Sequence, residues 1–118
     1  MRSCGTYLFG DDAIERSGEL CRELGLKGKA ILVNEQVTWE IAGERISEVL
    51  KKNGFEEVCN VMVEKGAVVS EVDNVRKMVR SLGPSVVLGI GGGVNMDIAK
   101  AASSGEGIGC ISADYLCY

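Results

Sequence analysis

The most constraining stretch of this chain runs from Ser85 to Lys100, where Ser85-Val86-Val87-Leu88-Gly89-Ile90 leads straight into Gly91-Gly92-Gly93 and then into a helical pattern. Glycines without a Cβ let the backbone turn tightly and come close to an anion. The unpaired N–H groups and positive dipole end of the helix that follows supply the attraction. A buried strand that opens through three glycines into a helix therefore predicts a phosphate cradle, with Gly91, Gly92 and Gly93 as cofactor-binding positions. The plainer alternative is a tight turn with no ligand.

The rest of the chain repeats the same rhythm. Short apolar runs alternate with longer amphipathic segments, which predicts an α/β fold in which a twisted parallel sheet is flanked by crossover helices. Tyr7-Leu8-Phe9 reads as a weak first strand, and Asp11 or Asp12 as the cap of a helix with Ile14, Leu20, Cys21 and Leu24 on one face, ended by Gly25 or Gly28. Ala30 to Val33 is a buried strand. Thr38 is expected to cap a helix whose Ile41, Ala42, Ile46, Val49 and Leu50 face inward, closed by Asn53-Gly54. Val58 to Val63 is expected as a third inner strand, and Gly66 to Ser70 as a loop. A helix bearing Val72, Val75, Met78, Val79 and Leu82 follows, with Ser70 and Asp73 spaced as a capping box and Gly83-Pro84 as the stop. A fourth strand over Ser85–Ile90, a helix over Val94–Ser103 and a short strand over Ile108–Ser112 complete the order.

Size and composition narrow what this fold can do. A length of 118 residues gives room for one domain with a real core. The net charge of −4, with basic residues scattered rather than massed, argues against a nucleic-acid partner. No segment approaches the roughly 20 continuous apolar residues of a membrane helix, and Met1 to Gly10 lacks the apolar core of a signal peptide, so the expected setting is cytoplasmic. Five cysteines without a C-x-x-C pair are expected to pack as reduced thiols. There is no histidine, which removes Ser-His-Asp and Cys-His catalysis and zinc sites of mixed His and Cys type.

Two ordered motifs resemble one family. Gly91-Gly92-Gly93-Val94-Asn95-Met96-Asp97-Ile98-Ala99-Lys100 is similar to the G-G-G-S-x-x-D-x-A-K signature of the iron-containing alcohol dehydrogenase superfamily. Val33-Asn34-Glu35-Gln36-Val37-Thr38, continuing to Gly43, is similar to its V-T-D-x-x-T-x-x-x-x-G stretch, and Gly107-Ile108-Gly109-Cys110-Ile111-Ser112 to G-I-P-F-I-S. The likeness is strongest to the sn-glycerol-1-phosphate dehydrogenase branch, with glycerol dehydrogenases next. It implies a Rossmann-like, dehydroquinate-synthase-like N-terminal domain that binds NAD or NADP. It also implies a helical domain carrying Asp and His ligands for zinc or iron, and residues 1–118 contain no such segment. Where the family continues P-T after its last strand, this chain has Ala113-Asp114-Tyr115-Leu116-Cys117-Tyr118.

These motifs set the expectations for individual residues. Glu35, at the carboxyl end of a strand, either accepts hydrogen bonds from an adenosine ribose and repels a 2′-phosphate, or is a solvated loop carboxylate. Asn34 and Thr38 are polar candidates beside it, Thr38 also as a simple helix cap. Asn95 stands where the motif has Ser and can donate to a phosphate. Asp97 resembles the family Asp bordering the nicotinamide cleft, or is an ordinary first-turn acid that Lys100 can pair with. Trp39 either covers a helix face or stacks on the cofactor. Gly66 and Ser70 are candidate cofactor contacts. No residue is expected to be catalytic or to bind metal. Two alternatives stand beside the dehydrogenase reading: a non-catalytic nucleotide-binding or assembly module, and a dehydroquinate-synthase-like NAD-binding part. The face left open by the absent domain is expected to favour a homo-oligomer.

Overall fold

The structure, a computed structural model, describes residues 6–10, 12–64 and 68–114. Its elements in order are β1 (Thr6–Phe9), α1 (Ala13–Glu23), β2 (Gly28–Asn34), a one-turn α2 (Gln36–Thr38) running through a π-helical turn (Trp39–Gly43) into α3 (Glu44–Lys52), β3 (Phe55–Met62), α4 (Val68–Leu82), β4 (Val86–Ile90), α5 (Gly93–Ser103) and β5 (Gly109–Asp114). All five strands are parallel and lie in the order β1-β5-β4-β2-β3.

The period of two along each strand divides the core between the sheet's faces. Ala30, Leu32, Val86, Leu88 and Ile90 meet Ile14 and Cys21 of α1 and Ile46 and Leu50 of α3. Ile31, Val33 and Val87 meet Val75 and Val79 of α4 and Ile98, Ala99 and Ala102 of α5. Burial on both faces explains why β2 and β4 read as unbroken apolar runs rather than as alternating ones.

Several details differ from the sequence reading. The strand expected over Val58–Val63 spans Phe55–Met62 and forms an edge of the sheet, because the chain crosses back over β2 before laying down β4. Its Glu56 and Glu57 are exposed, as suits an open edge. Leu24 follows the end of α1 and is exposed rather than inward-facing, and Ile41, within the π turn, is half-exposed. Helix α4 begins at Val68, so Ser70 lies inside the helix and caps nothing; the carboxylate near its start that ties back to the chain is Glu71, which accepts the Glu64 N–H at 2.9 Å. Asp12 precedes α1 without a side-chain cap bond. Asp11, Gly66, Cys4 and Cys117 lie outside the described residues. Among those described, no helix is long and apolar enough to cross a membrane.

Cys21 and Cys110 are buried and Cys59 is half-buried, and none of the three forms a disulfide. Burial pushes the Cys21 thiol up to about 11, and at Cys59 burial raises it first, with the Glu57 carboxylate adding to the effect. In the folded protein Cys21 therefore resists alkylation at pH 8.5, where an exposed thiol is about half ionised, and becomes labelled in denaturant; peptide mapping after iodoacetamide treatment checks this. The unfolded thiol ionises near 9.0 and the folded one near 11, so unfolding releases a proton in that window and stability falls as pH climbs through it.

Candidate functional site

In an open parallel sheet the ligand crevice lies at the carboxyl ends of two neighbouring strands whose connections leave toward opposite faces. Here those strands are β2 and β4. Val33 stands opposite Gly89, so Glu35 and Gly91 each lie two residues beyond a matched pair at the same sheet edge. From there β2 leads to α3 on one face and β4 to α5 on the other.

The β4–α5 junction is built for close backbone approach. Gly91 is buried, has φ +82° and donates its N–H to Ala113 O at 2.8 Å, fixing the turn to β5. A side chain at that φ would be strained. Gly92 is the extended N-cap of α5 and Gly93 its first residue. Among the described residues, the N–H groups of Gly92, Gly93 and Val94 donate to no protein acceptor, while Asn95 N–H reaches Gly92 O at 3.1 Å. A Cβ at Gly92 or Gly93 would meet nothing within 4 Å, so the space over these amides is open. Unpaired donors, a helix dipole and open space are the features an anion site needs, which makes this junction the candidate site.

Asn95 takes a different part from the one its motif position suggests. It is fully buried, and its Nδ2 donates to Ile90 O at 2.8 Å, bracing the turn from beneath instead of facing the open side. Its Oδ1 is the buried side-chain atom left without a partner among the described residues. One position that the sequence reading passed over proves decisive. A Cβ on Gly89 would stand 2.6 Å from Asn95 O and 2.7 Å from Met96 Cα, so α5 packs directly on the bare backbone of β4.

On the β2 side, Glu35 is the N-cap and Thr38 the third residue of α2, which corrects the expectation that Thr38 is the cap. The backbone decides it: Glu35 is extended, whereas Thr38 is already helical with φ −68° and ψ −33°. The two adopt a capping-box arrangement, whose firm half is the Thr38 hydroxyl accepting the Glu35 N–H at 2.8 Å. Glu35 is half-buried at the crevice, whereas Asn34 is fully buried, with its amide joined to Asn60 and Thr38. Asp97 is exposed on α5, and no ion pair joins it to Lys100. Trp39 packs against the α1–α3 side of the core, as a covering residue does. No group of three or more His, Cys, Asp or Glu that could hold a metal occurs among the described residues.

Comparison with known proteins identifies the family and the fold. A family model described as iron-containing alcohol dehydrogenase matches residues 8–114. A glycerol-1-phosphate dehydrogenase [NAD(P)+] of Methanothermobacter thermautotrophicus is 42% identical over 103 residues, covering 87% of this chain and 28% of the relative. One of Methanosarcina acetivorans is 35% identical over 97 residues, covering 82% and 27%. Among solved structures, glycerol dehydrogenase from Schizosaccharomyces pombe superposes with a TM-score of 0.75 at 26% identity, covering 94% of this chain and 28% of that one. The NADH-dependent butanol dehydrogenase A of Thermotoga maritima gives 0.73 at 26% identity, covering 90% and 27%. The chain thus spans little more than a quarter of the length of the curated relatives it matches.

Replacing Gly89 with alanine drives a methyl group into the α5 backbone. The expected loss is about 1–3 kcal/mol of stability, the usual scale for overpacking a core, read as a lower urea midpoint at unchanged slope.

Proposed function

The chain belongs to the iron-containing alcohol dehydrogenase family, and on that premise we propose that it is the part of a glycerol-1-phosphate dehydrogenase that holds the nicotinamide dinucleotide. The observation that carries this reading is the set of undirected N–H groups at Gly92, Gly93 and Val94, at the start of a helix and beneath open space. These amides would hold the diphosphate. Gly91 and Asn95 would keep the turn in shape, Glu35 would accept the ribose hydroxyls, and Asp97 would border the nicotinamide end. An acidic Glu35 repels a 2′-phosphate, which favours NAD over NADP.

A bound nicotinamide dinucleotide supplies the hydride that reduces a ketone such as dihydroxyacetone phosphate to a secondary alcohol. The family's zinc or iron finds no ligand set among the described residues, and the sequence has no histidine to offer one. This chain's own contribution is binding and orientation. A second reading, an assembly module without cofactor, draws on the exposed apolar Val37, Ile41, Val69 and Val94, which follow the carboxyl ends of strands, and Met62 at the end of β3.

Calorimetric titration separates the two readings. The dinucleotide reading expects saturable binding of NAD and of ADP-ribose, lost in Gly92→Val with the melting curve kept, because a Cβ there enters the space a ligand would fill and meets nothing within 4 Å. Absence of binding in the unaltered chain sinks it. Taken alone, the 118-residue chain is expected to show no steady-state oxidation of NADH or NADPH with dihydroxyacetone phosphate; sustained turnover in a spectrophotometric assay would contradict this division of labour.

A further inference from the structure

We propose that Thr38, Asn34 and Asn60 form a positioning relay that holds Glu35 at the crevice and so sets the preference between a dinucleotide with a free 2′-hydroxyl and one with a 2′-phosphate; the proposal rests on the cofactor reading above.

Strand β2 is apolar from Ala30 to Val33 and then ends in an asparagine that is as buried as they are. A valine there would satisfy the packing with no demand for hydrogen bonds, whereas a buried amide costs stability unless both its ends are engaged. Both ends of Asn34 are. Asn34 pairs with Met62, so Asn60 is its diagonal neighbour on the same face of the sheet, and Asn34 Nδ2 donates to Asn60 Oδ1. Asn34 Oδ1 accepts from the Thr38 hydroxyl at 3.2 Å, and that hydroxyl in turn accepts the Glu35 N–H at 2.8 Å. Thr38 Oγ1 also lies 3.1 Å from Glu35 O, so its single proton is shared between Asn34 Oδ1 and Glu35 O while its lone pair takes the Glu35 N–H.

The helix is shaped around this relay. A Cβ at Gly43 would stand 2.7 Å from Asn34 Oδ1, so the π turn presents bare backbone to the asparagine. Single π turns inside α-helices recur at functional sites. The Asn34 carbonyl is itself tied to β3, accepting the Val63 N–H at 2.7 Å. Fixing the Glu35 backbone, with its side chain in the capping-box arrangement toward Thr38, limits where the carboxylate can reach, and both hydrogen bonding to a ribose diol and repulsion of a phosphate depend on that reach.

The test compares dissociation constants for NAD and NADP, measured by calorimetry on the whole chain and on Glu35→Gln, Thr38→Val, Thr38→Ser and Asn60→Leu. Thr38→Val is nearly isosteric but removes the hydroxyl; Thr38→Ser keeps it. The preference for NAD is expected to fall about tenfold in Glu35→Gln and by a similar factor in Thr38→Val and Asn60→Leu, the scale of one hydrogen bond to a charged group, and to return in Thr38→Ser. NAD and NADP affinities that fall by one common factor, a preference unchanged in Thr38→Val and Asn60→Leu, or a serine variant as impaired as the valine one would each overturn the relay. If the unaltered chain binds neither dinucleotide, the cofactor reading falls and the relay with it. If Thr38→Val does not fold, amide hydrogen exchange on the unaltered chain decides: a Glu35 N–H protected relative to that of Gln36 supports the relay, and equal exchange refutes it.

Discussion

At Gly89 the backbone of α5 lies so near β4 that no side chain fits between them, since a Cβ would stand 2.6 Å from Asn95 O. That contact fixes the height of the helix above the sheet, and the height determines how sharply the chain must turn after Ile90. The turn in turn requires Gly91 at φ +82°, with its N–H secured by Ala113 on the next strand. Only with the helix held this close do the amides of Gly92, Gly93 and Val94 face an open crevice rather than the chain's own carbonyls. The open amides at this turn are therefore a consequence of packing two residues below it.

Buried polarity gathers near the same sheet edge. Ser17 and Ser103 are buried too, but they satisfy themselves within their own helices by bonding to Ile14 O and Ala99 O. Asn34, Thr38 and Asn95 instead bridge separate elements at the carboxyl ends of β2 and β4. Apolar contact is non-directional and could let α3 or α5 slide by a fraction of a residue; an amide bonded across elements cannot slide without losing its partner. Polar groups thus set the register where the crevice needs it, and the apolar layers above and below supply the cohesion.

The parallel sheet, the element order and the glycine turn could all be read from the sequence, because each rests on local periodicity or on residues adjacent in the chain. Strand order could not, since nothing in Phe55–Met62 itself says that β4 will insert on the far side of β2 and leave β3 at an edge. The start of the helix after β2 was misjudged for a related reason. Glu35 and Thr38 both have the chemistry of a cap, and the choice between them depends on where β2 stops pairing with β3. Asn95 reads as a phosphate donor from its motif position, yet its side chain is turned under the loop to Ile90. Gly89 passed as one residue among strand formers because its reason for being glycine, the α5 backbone, arrives from later in the chain.

The two ends of the crevice work by different physics. At the β4–α5 end the donors are backbone amides, so any anion that fits is attracted and little depends on side chains beyond the absence of a Cβ. At the β2–α2 end the candidate group is a half-buried carboxylate, Glu35, whose effect would change sign with the ligand: attraction for a hydroxyl donor, repulsion for a phosphate. Affinity and discrimination are thereby assigned to different strands. On the dinucleotide reading, a change at Glu35 or in the residues behind it would alter which dinucleotide is preferred while leaving the diphosphate grip intact, whereas a side chain at Gly92 would remove the grip for every dinucleotide alike. The separation follows from the topology, because β2 and β4 send their helices to opposite faces and no single helix can serve both ends.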